Sequence, residues 1–213
     1  MQLISVNRGD VQPLANAKAH GVTGIFKQPL AGPVLITTMG IPEDAICDTE
    51  NHGGVDQAIY LYGEPDYQWW EQELRQPLAP GTFGENLTIA DLESGNFAVG
   101  DRFQIGDCIL EVTAPRIPCV TLARRMGDPT FAKRFRAAER PGLYGRVFQE
   151  GKVCSGDPVH YTPYAGDRIG VIEMFRNFFA GDRSETTLRR YLAAPIAIRD
   201  RQEKERLLAE LLK

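Results

Sequence analysis

The chain has 213 residues, 43% hydrophobic and 24% charged, a balance expected of a soluble globular protein with one large domain or a domain plus a small appendage. A net charge of −4 without a clustered basic stripe argues against a nucleic-acid surface. No apolar run approaches the ~20 residues that span a bilayer, and the opening Met1-Gln2-Leu3-Ile4-Ser5-Val6-Asn7-Arg8 lacks a signal peptide's basic-then-apolar pattern.

The four cysteines, Cys47, Cys108, Cys119 and Cys154, show no close zinc or thioredoxin spacing, so a cytoplasmic protein with reduced thiols is expected. Leu3-Ile4-Ser5-Val6 reads as a first strand, followed by a loop up to Gly21. In the stretch from Gly21 to Pro29, Gly21 and Gly24 flank a short apolar piece, which suggests backbone that must approach something closely. Lys27, in extended chain ahead of Pro29, is a surface lysine or a site cation. Pro33 to Thr38 is a strand, and Ile41 to Glu50 is acidic, carrying Glu43, Asp44, Asp48 and Glu50. Asn51-His52-Gly53-Gly54 reads as a turn, since paired glycines supply positive φ without strain. His52, one of three histidines, is either a satisfied structural residue or a site residue.

Ala58 to Tyr62 is a strand, and Glu64 to Leu74 is a helix whose acidic first turn suits the helix dipole. Trp70 and Leu74, four apart, are expected to face the core. Gly84-Glu85-Asn86 puts polar groups in a tight turn beside the apolar Leu87-Thr88-Ile89; Asn86 either orders that loop or contacts a ligand. Val99-Gly100-Asp101 and Ser155-Gly156-Asp157 place similar corners before two further strands.

Cys108 to Thr113 alternates as a half-buried strand with Cys108, Leu110 and Val112 on one face. Pro115 and Pro118 then stop the ladder, leaving Cys119 in a stiff turn three residues after Arg116. A fixed cation nearby favours the thiolate; the alternative is a cysteine packed as a small hydrophobe. Leu122 to Arg136 is basic and largely helical in spacing, either a solvated face or in part the lining of an anion site. Pro141 to Val147 is a glycine-punctuated strand. Beyond Tyr164-Ala165-Gly166 the pattern turns helical. Val171, Met174, Phe175 and Phe178 form a stripe, Ser184 is an N-cap, Pro195 breaks the second helix, and a third ends in Leu207, Leu208, Leu211 and Leu212.

Thr23-Gly24-Ile25-Phe26-Lys27, Asn51-His52-Gly53-Gly54-Val55-Asp56-Gln57-Ala58-Ile59-Tyr60, Gly81-Thr82-Phe83-Gly84-Glu85-Asn86-Leu87-Thr88, Val99-Gly100-Asp101 and Pro115-Arg116-Ile117-Pro118-Cys119 follow in this order. Together they resemble the MOSC family, named for the C-terminal domain of molybdenum cofactor sulfurase, and within it the YiiM-type group. The resemblance covers nearly the whole chain. It implies a mainly β fold: a MOSC-type β-barrel domain with a few helices over residues 1–163, then a small all-α three-helix appendage over 164–213.

It also implies molybdenum cofactor as the bound group, with Cys119 as the protein's ligand to the metal. Lys27, His52, Gly84, Glu85, Asn86 and Arg116 are the implied cofactor-binding residues, Glu85 either holding the pterin or bracing its loop. The implied activity is reduction of N-hydroxylated small molecules such as hydroxylamino purines, with Cys119 and His52 catalytic and a separate redox partner supplying electrons. No nucleic-acid polymer or membrane partner is implied, and the protein would be a monomer or homodimer. The alternatives are a non-catalytic carrier of cofactor or sulfur, and a cofactor-free enzyme using Cys119 as nucleophile and His52 as base. Two departures stand out. The acidic segment reads Glu43-Asp44-Ala45-Ile46-Cys47-Asp48 where relatives usually carry Gly-Asp, and Gln57 stands where many have Lys. The first weakens a role for Asp44 or Asp48; the second removes a possible cation.

Overall fold

In a computed structural model, which describes residues 1–17 and 21–213, the chain runs through twelve short strands and six α-helices. The first half is β1 (Leu3–Arg8), β2 (Gln12–Pro13), β3 (Val22–Thr23), β4 (Gln28–Pro29), β5 (Val34–Ile36), β6 (Ile59–Gly63), α1 (Glu64–Leu74) and β7 (Leu87–Ile89). The second is β8 (Arg102–Ile105), β9 (Cys108–Pro115), α2 (Val120–Arg125), α3 (Phe131–Ala138), β10 (Leu143–Gln149), β11 (Gly151–Val153), β12 (Val159–Thr162), α4 (Val171–Ala180), α5 (Glu185–Ala193) and α6 (Ile198–Leu211). Part of the loop expected before Gly21, residues 18–20, lies outside the described residues. No described helix is long and apolar enough to cross a membrane.

Eight strands share one sheet in the order β12-β8-β9-β10-β6-β7-β1-β4. Every pairing is antiparallel except β6 with β7. That exception follows from the chain path, because a parallel return needs a crossover and α1 supplies it. The alternation read in β9 holds: Cys108, Leu110 and Val112 are buried in one core cluster with Leu3, Ile59, Leu61, Leu87 and Phe103.

The expected closed barrel is not what the ladders form; this is a mixed sheet with six helices. One edge of β1 pairs with β7. Its opposite edge is divided between β4 and the segment leading into β12, which meets the start of β1 at the bridge Gln2–Pro158 and through the Leu3 amide to the Asp157 carbonyl, the Gly156 amide to the Leu3 carbonyl and the Val159 amide to the Met1 carbonyl, without a continuous ladder. Prolines stand at both places, Pro29 and Pro158, and neither has an N–H with which to extend a ladder.

A second, aromatic core lies where the helices pack, joining Tyr60, Tyr62, Trp70 and Phe83 to Phe131, Phe135, Phe175 and Tyr191. Trp70 faces it as expected. The C-terminal segment forms the three expected helices and packs closely on the sheet. Val171 belongs to the sheet's own core, and the Ala197 amide donates to the Thr113 carbonyl at 3.2 Å. Ser184 caps α5 by accepting from the Thr187 amide. Phe178, the last member of the α4 stripe, is 61% exposed, and α6 buries none of its residues.

Candidate functional site

The β9 ladder ends at Pro115 and leads into Arg116-Ile117-Pro118, which presents Cys119 as the extended N-cap of α2. Around Cys119 the fold gathers loops far apart in sequence. One pocket is lined by Lys27, Asp44, Cys47, His52, Gln57, Tyr60, Gly84, Asn86, Arg116, Cys119 and Tyr144. Of the residues implied by the sequence resemblance, all but Glu85 line it.

Glycines make the convergence possible. A Cβ on Gly24 would lie 1.8 Å from the Ala45 carbonyl oxygen, so only glycine lets the 23–27 loop press on the acidic segment. That contact brings Asp44 to Lys27, whose Nζ lies 2.5 Å from both carboxylate oxygens. Asp44 also accepts from the Gly9 amide and from Asn86 Nδ2, each at 2.8 Å. Asn86 in turn accepts from the Tyr60 amide at 3.1 Å. Burial lowers the Lys27 pKa, opposed by the Asp44 charge. Lys27 and Asn86 are therefore held together through Asp44, although the acidic segment departs from the usual Gly-Asp pair.

Arg116 is different. It is 4% exposed, and among the described residues it forms no ion pair with a carboxylate. Its Nη1 donates to the Phe83 carbonyl, and its guanidinium carbon lies 4.9 Å from the centroid of the Tyr60 ring. Its Nε is buried without a partner. A buried cation in this state calls for an anion. Gly84, at φ +78°, keeps the adjoining space open: a Cβ there would lie 3.7 Å from Arg116 Nη1 and press on Ile25.

Cys119 and His52 meet at the pocket. Burial alone would raise the thiol pKa, but a hydrogen bond with His52 and the Arg116 charge outweigh it and bring Cys119 to about 6. His52 Nδ1 lies 3.2 Å from the Tyr144 hydroxyl, whose ionisation burial disfavours. With Tyr144 as donor, a neutral His52 carries its proton on Nε2. Gly53 and Gly54, at φ +73° and +80°, form the turn that presents the ring.

Glu85 braces its loop, one of the two roles expected of it, through one oxygen, while its Oε2 is buried without a partner. Its Oε1 accepts from the Tyr67 hydroxyl (2.5 Å), the Gly81 amide (2.6 Å) and Thr88 Oγ1 (2.8 Å), and the residue does not line the pocket. The basic segment after Cys119 contributes no cation either. Arg125 lies over the Phe26 ring, Arg134 pairs with Glu73 and Asp128, and Arg136 lies over Phe179. Residues that sequence reasoning missed as pocket walls are Tyr60, Tyr144, Cys47 and Asp44. Only the glycines flanking Leu143-Tyr144 hinted at an unusual strand position.

Among the described residues no group of three or more His, Cys, Asp or Glu side chains could hold a metal ion. A metal here would have to arrive with most of its ligands. The residues fit such a group: a thiol shifted toward its soft thiolate form, a buried cation without a carboxylate partner, and a glycine turn beside it that a side chain would crowd.

The MOSC domain family matches residues 48–160, more than half of the chain. The chain belongs to the MOSC family. The Bacillus subtilis (strain 168) protein YflK is 36% identical to this MOSC chain over 154 residues, 72% of the chain and 70% of YflK. A protein of Gibberella moniliformis (strain M3125 / FGSC 7600) named Reductase is 34% identical over 143 residues, 64% of this chain but 25% of that protein. The crystal structure of YiiM from Geobacillus stearothermophilus matches with a TM-score of 0.79, covering 97% of this chain and 98% of that one at 24% identity, which shows the common fold.

The MOSC pocket makes a pH-dependent reaction rate measurable in metal-free protein. Alkylation of Cys119 by iodoacetamide is expected to rise with pH through a midpoint near 6, while Cys108, pushed up to about 12 by burial, stays unreactive. At pH 7 roughly nine in ten Cys119 side chains would be thiolate, against a few per cent for an ordinary cysteine. Because the folded pKa is depressed, the associated stability is fully present above the unfolded thiol pKa and is lost as pH falls through about 6. Peptide mass spectrometry across pH 5–9 checks this; a Cys119 midpoint above about 8 would remove the thiolate argument.

Proposed function

We propose that this protein is a molybdenum-cofactor-dependent oxidoreductase that reduces N-hydroxylated small molecules, with electrons from a separate donor protein. The reaction is R–NH–OH plus two electrons and two protons giving R–NH2 and water. The observation that carries the reading is one pocket holding both a Cys119 thiol shifted to about 6 and a buried Arg116 without a carboxylate partner. MOSC membership and a fungal relative named as a reductase add support.

When bound, the cofactor would supply the two-electron chemistry. The chain's own residues would do the rest. Cys119 Sγ is a soft anionic donor suited to molybdenum. Arg116 would pair with the cofactor's phosphate through its free Nε edge. Lys27, Asp44 and Asn86 hold the opposite wall in register. His52, oriented by Tyr144, can hold a proton beside Cys119 and release it to the departing hydroxyl. The likeness of charge and geometry also favours a second reading, a cofactor-free thiol enzyme, since Cys119 and His52 form the pair that nucleophilic catalysis uses.

One experiment separates these readings and the carrier. Protein made in a host that synthesises the cofactor is analysed for molybdenum and pterin, then assayed with 6-hydroxylaminopurine and a reduced viologen dye. Turnover that tracks molybdenum content supports the reductase. Saturation without turnover favours a carrier, and turnover after complete molybdenum removal favours the thiol enzyme.

A further inference from the structure

The basic run after Cys119 takes no part in the pocket, yet its exposed members gather where Cys119 approaches solvent. Leu122 to Arg136 carries five basic residues against one acidic, in a chain of net charge −4. Arg125 and Arg134 are engaged, with Phe26 and with Glu73 and Asp128. Arg124, Lys133 and Arg136 are exposed, and among the described residues none of the three forms an ion pair. Glu139, at the end of α3, is held by Arg176 instead.

These cations flank an apolar spot. Val120, the residue after Cys119, is 39% exposed, and Arg124 follows one turn later on the same side of α2. Lys133 and Arg136, three apart, share a side of α3. The Arg136 guanidinium carbon lies 4.1 Å from the centroid of the Phe179 ring, and that ring meets Phe178 edge-on at 5.1 Å. Phe178 is 61% exposed. Cys119, Val120, Phe178 and Phe179 line one cleft, which shares Cys119 and His52 with the first pocket. The cleft's own charges are close to balanced: Arg183, Arg199 and Lys204 against Glu50, Asp182, Asp200 and Glu203, the last paired with Arg206. The uncompensated positive charge is therefore that of α2 and α3.

The proposed reduction draws its electrons from another protein. Electron transfer falls off steeply with distance, so a donor has to dock where the surface comes nearest the sulfur of Cys119, and Val120 is one residue away. Electron-transfer complexes are small, below about 1,200 Å² in total. They join an apolar centre to charges that steer the approach. A positive patch on a chain of net charge −4 gives an acidic partner one favoured orientation. We propose that the α2–α3 face beside this cleft is the docking surface for a small acidic electron-carrier protein. Val120 and Phe178 form the centre of the contact, and Arg124, Lys133 and Arg136 steer the carrier to it. Two carrier molecules, each oxidised by one electron, supply the pair that reduces N–OH to N–H and water. The proposal rests on the reductase reading for the need for electrons, and the surface itself is tested by binding.

The purified full-length protein is titrated by calorimetry with an oxidised plant-type 2Fe–2S ferredoxin and with an oxidised flavodoxin, both acidic, at low and at high salt. At least one carrier is expected to bind at low salt and to lose about tenfold or more in affinity at high salt. Arg124→Glu and Lys133→Glu should each weaken binding several-fold, and together by at least about tenfold. Phe178→Ala should weaken it several-fold at either salt concentration. Lys152→Glu, the same charge reversal at an exposed position of β11, should leave it unchanged. All four positions are exposed, so melting curves should match wild type. Binding by neither carrier, or binding indifferent to Arg124→Glu and Lys133→Glu, overturns the proposal. So does light scattering that shows a dimer dissociated by these substitutions, which would give the face to a second copy of the chain. In molybdenum-loaded protein, turnover of 6-hydroxylaminopurine driven by a reduced viologen dye should be alike in wild type and variants, while turnover driven by the reduced carrier should fall with binding. The expected binding pattern without dye-driven turnover leaves the surface standing and removes the reductase reading. Dye-driven turnover with carrier binding indifferent to the substitutions does the reverse.

Discussion

Cys119→Ser, made in a host that supplies the cofactor, is expected to purify with at least about tenfold less molybdenum than wild type, and to lose turnover in proportion. The two side chains differ by one atom, so the change is chemical. The surroundings that bring the thiol to about 6 are a His52 hydrogen bond and the Arg116 charge. The same surroundings leave a serine hydroxyl protonated at neutral pH, and oxygen is the harder donor. Cys119 is only half-buried, at the start of a helix, so the melting curve should barely move. Cys47→Ser is the matched control. Cys47 lines the same pocket, yet burial raises its pKa, with only the Lys27 charge opposing. It should keep its metal. Metal retained in Cys119→Ser and lost in Cys47→Ser would move the ligand to the other sulfur.

The site was readable from sequence where the chemistry is local and hidden where it is assembled. Cys119 after Pro118, three residues past a guanidinium, carries its own signal, as do the glycines that let loops touch. Asp44 carries none. Its importance comes from Lys27, Gly9 and Asn86 arriving from three other segments, and its immediate neighbours in sequence say only that the stretch is acidic. Glu85 shows the matching case. A carboxylate in a glycine turn resembles a ligand contact until Tyr67, eighteen residues earlier, is found holding it. The strands were legible from alternation and turns, and the helix Glu64–Leu74 from its acidic start. Closure was not, because it depended on which edge of β1 each later segment would reach, and on Pro158 meeting it there.

The two buried cations of the pocket should respond in different ways to the same substitution, and phosphate is the probe that shows it. Arg116→Met removes a cation that has no carboxylate partner. Replacing it by an apolar chain of similar length relieves a desolvated charge but removes the Phe83 carbonyl's donor, a hydrogen bond with Tyr60 and a charge beside the Cys119 thiol, so stability at neutral pH should fall by about 1–2 kcal/mol. Phosphate affinity should fall by about 10- to 100-fold, the worth of one or two charge-assisted hydrogen bonds. The Cys119 alkylation midpoint should rise, because one of the charges holding it down has gone. Lys27→Met instead leaves Asp44, with 5% of its side chain exposed, as a buried carboxylate without its cation. Breaking such a pair costs about 3 kcal/mol or more, and the Gly9 and Asn86 donors offset part of that. Adding Asp44→Asn should recover most of the lost stability by removing the orphaned charge, while phosphate still binds through Arg116. Isothermal titration with phosphate beside urea denaturation reads both effects. Should Arg116→Met bind phosphate as wild type does while the Lys27→Met, Asp44→Asn double variant does not, the anion site belongs to Lys27 and the division of labour between the two cations is reversed.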